Sequence, residues 1–335
     1  MEIDALLTAA ARENAGMLSF RDFSEIALFS PGHGYYARPQ RRVGTAEGTD
    51  FYTSSTMGDV FGRLIVAAAQ KLLSDAGMDS RECTLVEIGA EPGQTHLSAA
   101  AAGVFSETKI FRLGDSVEIP EKAVVFANEL LDAQPFHRLI FKEGSWREIG
   151  VFRSGNGSWR ETILPEISTM ELKRFIEEVL PKTTDDGWHL DIALEAETLL
   201  QKILAGNWHG AVIFPDYGKR LADCLDTFPE GTARAYFRHS LSNDLTARPG
   251  EQDLTCHVFW DRLEAVALAA GFSRVFTLRQ EAFFMKFALP AIQKIIDAGE
   301  LQHSESAMRE RAKLIEIIHP GKMGHAFQVL SGIRN

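Results

Sequence analysis

Apolar positions along the chain follow two periods. Val60, Leu64, Ala68 and Leu72 recur every fourth residue, the spacing of one helix face, with Thr56 placed to cap the helix and Gly77 to stop it. Beyond Gly77 the pattern changes to short continuous runs: CTLVEIG (83–89), AVVFANE (123–129) and GAVIFPDYG (210–218). They are rich in β-branched residues and close on glycine or polar residues, which predicts strands buried on both faces.

Between the second and third runs, FHRLIF, WREIGVF and SWRETIL are separated by KEGS and RSGNG, the pattern of a small antiparallel meander. Two helices should follow, the second from about Leu190 to Leu204 with Gly206 as its stop. The last third predicts a strand near 233–238, a helix over 258–270 closed by Gly271, a strand and helices from SRVFTLRQEAFFMKFAL onward, and a final strand in AFQVLS. Strands alternating with helices indicate a doubly wound α/β core. Residues 1–78 read as a helical, loop-rich N-terminal cap, and 79–335 as a Rossmann-like domain with an insertion at about 136–190.

Composition narrows the function classes. Three dispersed cysteines, Cys83, Cys224 and Cys256, argue against a disulfide framework and for a reducing, intracellular setting, read here as cytoplasmic. No apolar run is long enough for a membrane span, so no membrane association is expected. A net charge of -11 disfavours nucleic acid, whose phosphates need clustered Lys and Arg; a protein partner or substrate is compatible with it. The ten histidines show no ligand spacing, so no metal is expected, and Walker and GxSxG motifs are absent. Without GxGxxG a nicotinamide oxidoreductase is excluded.

Polar residues cluster where predicted strands end, the place where a parallel sheet offers ligand groups. Glu87 and the backbone at Gly89 can receive an adenosyl ligand, although a plain βα turn has the same signature. Asn128, Glu129 and Asp132 follow the second run and face the crevice or decorate a helix N-terminus. Asp216, beside Tyr217, caps the next element or faces the crevice. Paired Tyr35 and Tyr36 follow two glycines. Asp253 or Thr255 suits a helix cap, and His257 is a packed histidine or a site residue.

Taken together, PGHGYY, GTDFYTSS, LVEIGA, ANELLDAQP, PDYG, GTARAYFRH, PGEQDLTCHV and KMGHAFQVL occur in the order and approximate spacing of the MidA-like family of S-adenosylmethionine-dependent methyltransferases, which the chain resembles from about residue 17 to its end. That family includes an enzyme that dimethylates an arginine on a subunit of respiratory complex I. The resemblance implies a class I methyltransferase sheet, S-adenosyl-L-methionine as cofactor and a protein arginine as substrate. The turn from Glu87 through Gly89 to Gly93 would receive the methionine end of the cofactor. Asp50, Thr53 and Asn128 would line the cofactor crevice, Glu129 and Asp132 would hold the guanidinium, and Tyr35, Tyr36, Asp216, Tyr217 and His257 would meet the substrate.

The chain departs from the family in two places. The middle glycine of the turn is Glu91, whose side chain fills ligand space and sets a carboxylate toward the cofactor's own. The interval 94–127 is too short for the usual second strand, helix and third strand. Aligning KIFRLGD with a later family strand leaves the acidic ribose-binding segment without a counterpart, Asp115 being the nearest substitute. The sheet should therefore be one βα unit short. Two functions follow: a protein arginine methyltransferase, or a degenerate, non-catalytic relative acting as a protein-binding or assembly module.

Overall fold

A computed structural model describes residues 3–38, 58–90, 97–302 and 304–335. The chain begins with α1 (Ile3–Glu13), β1 (Met17–Ser19) and α2 (Phe20–Phe29), then α3 (Asp59–Asp75), β2 (Thr84–Ile88), α4 (Ser98–Ala101), β3 (Glu107–Phe111) and β4 (Lys122–Phe126). The meander follows as β5 (His137–Lys142), β6 (Ser145–Arg153) and β7 (Trp159–Ile163), then α5 (Met170–Glu178), β8 (His189–Ile192) and α6 (Leu194–Leu204). Next are β9 (His209–Asp216), β10 (Gly218–Lys219), α7 (Leu221–Thr227), β11 (Arg234–Phe237), β12 (Ser240–Ser242), β13 (Asp253–Thr255) and β14 (Val258–Phe259). The chain closes with α8 (Trp260–Ala269), β15 (Ser273–Arg279), α9 (Gln280–Phe287), α10 (Leu289–Gln302), α11 (Glu305–Ile318) and β16 (Gln328–Arg334).

These elements form two compact units, each drawn from three stretches of chain: 3–38, 131–199 and 218–261 in one, and 58–130, 200–217 and 262–335 in the other. The second unit holds a six-stranded sheet in the order β15-β16-β9-β4-β2-β3. Five strands run in one direction; β16 alone runs antiparallel, between β9 and β15. The final strand thus lies beside RVFTL. The continuous apolar runs became its central strands because both faces are covered. Leu85, Val124, Phe126 and Ile213 pack in one core with Leu64, Ile65, Leu72 and Phe284 from the helices. The four-residue period of α3 is the buried stripe of that helix, although its N-cap is Gly58 with no side-chain cap.

Between α4 and β4 the chain contains a single described strand, β3, and the sheet has six strands among the described residues. Its position corrects the alignment made from sequence. β3 pairs in parallel with β2 along Thr84↔Glu107 to Ile88↔Phe111. In a doubly wound sheet the neighbour of the first strand on that side is the second strand, and the third lies outside it. Among the described residues the missing unit is therefore the outermost one, and β3 takes the second-strand position.

The first unit is built on the sheet β1-β6-β5-β8, with β7 also paired to β6. Two features differ from the reading of the sequence. Met17–Ser19, expected within helical sequence, is a strand paired with Gly150, Val151 and Phe152. Residues 189–192, expected to open a helix, form β8 against β5, and the helix starts at Leu194. Asp191 explains the second difference: in this strand its carboxylate accepts from Arg138 Nε at 2.8 Å and from the Thr232 and Ala233 amides at 2.6 and 2.7 Å. A helical pattern cannot reveal such partners.

Candidate functional site

The C-terminal ends of β2, β3, β4 and β9 lie along one edge of the sheet, where an open α/β fold collects ligand groups. At the end of β2, Glu87 is 1% exposed, and Gly89 turns the chain with φ +81°. A Cβ on Gly89 would come 2.9 Å from Leu130 Cδ1, so the turn requires glycine for conformation and for space. Beyond β4 the chain stays attached to β9 through Ala127 N donating to Ile213 O and Glu129 N to Pro215 O, at 3.3 and 3.0 Å. Glu129 is there held left-handed at φ +50°, and its Oε1 accepts from Asn128 Nδ2 at 2.7 Å. Asn128 Oδ1 is buried with no hydrogen-bond partner among the described residues.

Asp216, at the end of β9, is 1% exposed and takes the Tyr217 amide on its Oδ1 at 2.7 Å. The Tyr217 ring packs on Phe327 with centroids 4.1 Å apart, so it is anchored in the wall of this unit. Past β3, Arg112 N donates to Asp115 Oδ2 at 2.7 Å, which fixes an exposed carboxylate at the strand's end.

In the first unit, Tyr35 is fully buried, whereas the half-buried Tyr36 donates its hydroxyl to Asp253 Oδ1 at 2.8 Å. Burial, then the charges of Asp253 and Asp132, push the Tyr36 phenol well above its ordinary range, so it stays protonated. Asp253 is not a helix cap: it lies in β13, and its Oδ1 also accepts the Leu254 amide. Asp132 is 4% exposed, and its carbonyl accepts from Cys256 N at 3.2 Å. His257 packs edge-on against Phe228, and its pKa is lowered to about 4, first by burial and then by Lys219 and Arg234. It is a neutral packed histidine near neutral pH. Asp50, Thr53, Glu91 and Gly93 lie outside the described residues. The sequence reading missed Asp253 as the partner of Tyr36; the only trace of it was its place in PGEQDLTCHV.

A family model described as "Putative S-adenosyl-L-methionine-dependent methyltransferase" matches residues 65–277. The chain belongs to this family. It is 23% identical to the protein arginine methyltransferase NDUFAF7, mitochondrial, of Danio rerio, over 94% of this chain and 83% of that protein. It is 25% identical to the Drosophila melanogaster homologue, over 89% and 68%. Both relatives carry a mitochondrial designation, which corrects the cytoplasmic expectation. A Burkholderia thailandensis structure bound to S-adenosyl-homocysteine matches with a TM-score of 0.86 and 23% identity, covering 99% of this chain and 92% of that one. A native structure of a superfamily member from the same organism gives 0.82 at 23% identity, over 99% and 91%. These likenesses establish the class I methyltransferase fold.

The cofactor of the family is S-adenosyl-L-methionine, and the residues described suit it. Asn128 Oδ1 is a buried acceptor without a donor among the described residues, as an ammonium group requires. Gly89 brings bare backbone to the sheet edge, and Asp115 stands at the end of the strand beside β2.

Proposed function

We propose that this chain is a protein arginine N-methyltransferase. One observation carries the reading: Glu129, a residue with a full side chain, is held at φ +50° at the carboxyl end of β4. Left-handed backbone at a non-glycine residue costs about 1 to 2 kcal/mol, and such strain collects where a side chain must be aimed. The amide bond to Pro215 and the Asn128 side chain fix Glu129 at both ends.

When bound, S-adenosyl-L-methionine supplies a methyl group on an electrophilic sulfonium. Glu129 accepts N–H bonds from the planar guanidinium and fixes the orientation of its nitrogen, the charge-assisted geometry carboxylates give arginine. The same carboxylate can take the proton that the nitrogen loses. Asn128, Glu87 and the Gly89 backbone hold the amino-acid end of the cofactor, and Asp115 its ribose. Tyr36 with Asp253 serves the substrate.

Both the methionine cofactor and its demethylated product should bind in the micromolar range by calorimetry. Glu129→Gln should retain that binding and lose arginine methylation of a protein substrate by at least about a hundredfold, the scale of one positioned proton acceptor. No binding at millimolar ligand would support the non-catalytic module. Undiminished methylation by Glu129→Gln would remove this residue from the mechanism.

A further inference from the structure

Asp191 belongs to β8, yet its carboxylate serves the backbone of a segment forty residues on. Oδ2 accepts from the Thr232 and Ala233 amides at 2.6 and 2.7 Å, and Oδ1 accepts from Arg138 Nε at 2.8 Å. Arg138 lies directly opposite in the antiparallel β5–β8 ladder, so the sheet itself fixes the acceptor. The Asp191 side chain is fully buried, and replacing such an ion pair by apolar residues of similar volume is often neutral for stability. What the carboxylate secures is the conformation of the chain that donates to it.

That chain opens GTARAYFRH, a motif that the cofactor residues and Glu129 leave unexplained. Directly after Ala233 it becomes β11, which pairs antiparallel with β13, Arg234 opposite Thr255 and Tyr236 opposite Asp253. Thr232 adds a second tie, its Oγ1 accepting from the His257 amide at 3.2 Å just beyond β13. Both strands are thereby tethered to Asp191 at the same end of the ladder. Asp253 then accepts on one oxygen, Oδ1, from the Tyr36 hydroxyl at 2.8 Å and from the Leu254 amide at 2.9 Å. All of these residues belong to one unit.

We propose that Asp191 is a positioning residue of the substrate site: it holds the β11–β13 ladder so that Asp253 presents its carboxylate to Tyr36. The inference rests on the substrate role given above to Tyr36 and Asp253.

The test measures transfer of tritiated methyl groups from S-adenosyl-L-methionine to total protein of cells lacking the enzyme. Asp191→Asn must turn an N–H donor toward either Arg138 or the two amides. It should lower kcat/KM for the acceptor protein at least about tenfold, the scale on which a displaced positioning group acts. Calorimetric affinity for the demethylated cofactor should not change, because the residues assigned to it lie in the other unit. Thr232→Val, which removes only the hydroxyl tie to His257, should act in the same direction and carries the test if Asp191→Asn does not fold. Positioning through Tyr36 also requires that Asp191→Asn add nothing to the loss caused by Tyr36→Phe, whereas a purely structural role gives losses that add. Hydrogen exchange at the Leu254 amide, beside Asp253, should quicken at least about tenfold in both variants as local opening becomes easier, while β6 keeps its rates. Unchanged kcat/KM in both variants, or additive losses, overturns the proposal. Quickened Leu254 exchange in the variants of a protein whose wild type methylates nothing would keep the positioning of Asp253 and reject the enzyme reading. Methylation indifferent to both variants would do the reverse.

Discussion

Asp191 sits 1% exposed among Arg138 and two backbone amides, and its burial is tolerable only because each oxygen has a donor. This arrangement accounts for the glycine of GTARA: Gly231 has φ +73°, and a Cβ there would fall against the Asp191 carboxylate. His257 shows the opposite case, a half-buried titratable group without a carboxylate in contact. Its folded pKa of about 4 lies below the ordinary 6.5, so between those values the unfolded chain binds the proton more readily. Stability is complete above pH 6.5 and is lost as pH falls toward 4, by up to about 3 kcal/mol. Urea unfolding from pH 7 to 4 should show a shallower acid loss for His257→Gln than for the wild type. Parallel curves would show that His257 does not titrate as its surroundings require.

At the scale of elements, what could be read from the sequence depended on how far the partners of each residue lay along the chain. The runs that became β2, β4 and β9 were legible because burial on both faces leaves an unbroken apolar pattern. The stripe of α3 was legible through its period. β1 and β8 were not, since three or four residues carry no period and their identity comes from Phe152 and Leu139, far along the chain. The site divides similarly. Glu87, Asn128 and Glu129 follow from strand ends, whereas Asp253 acquires its role from a tyrosine 217 positions earlier.

The placement of β3 leads to a prediction at this scale. Because β3 occupies the second-strand position, Asp115, four residues beyond its end and bonded to the Arg112 amide, is the acid we assign to the ribose hydroxyls in the proposed function. Asp115→Asn keeps the amide acceptor and removes the charge. It should weaken the demethylated cofactor about tenfold, close to 1.4 kcal/mol, with little effect on thermal unfolding of the free protein, since Asp115 is exposed. Unchanged affinity in calorimetry would place the ribose elsewhere.

At the scale of the molecule, each unit collects three separated stretches of chain around its own apolar cluster. Leu64, Phe126 and Phe284 belong to one, and Leu139, Leu172 and Leu190 to the other. No contiguous boundary marks this division, which is why composition along the sequence could not show it. Separate cores allow separate openings, and ligand binding stabilises only states that retain its site. The residues assigned to the cofactor, Glu87, Gly89, Asn128 and Asp115, all lie in the unit with the six-stranded sheet. At a hundred times its dissociation constant, the demethylated cofactor should stabilise that unit by about 2.7 kcal/mol. Hydrogen exchange should then slow at the amides of β2, β4 and β9 that exchange through opening of this unit, while β5, β6 and β8 keep their rates. A uniform slowing would mean that the whole chain opens as one cooperative body. Slowing confined to β5, β6 and β8 would put the ligand in the other unit and undo the assignment of Asn128 and Asp115.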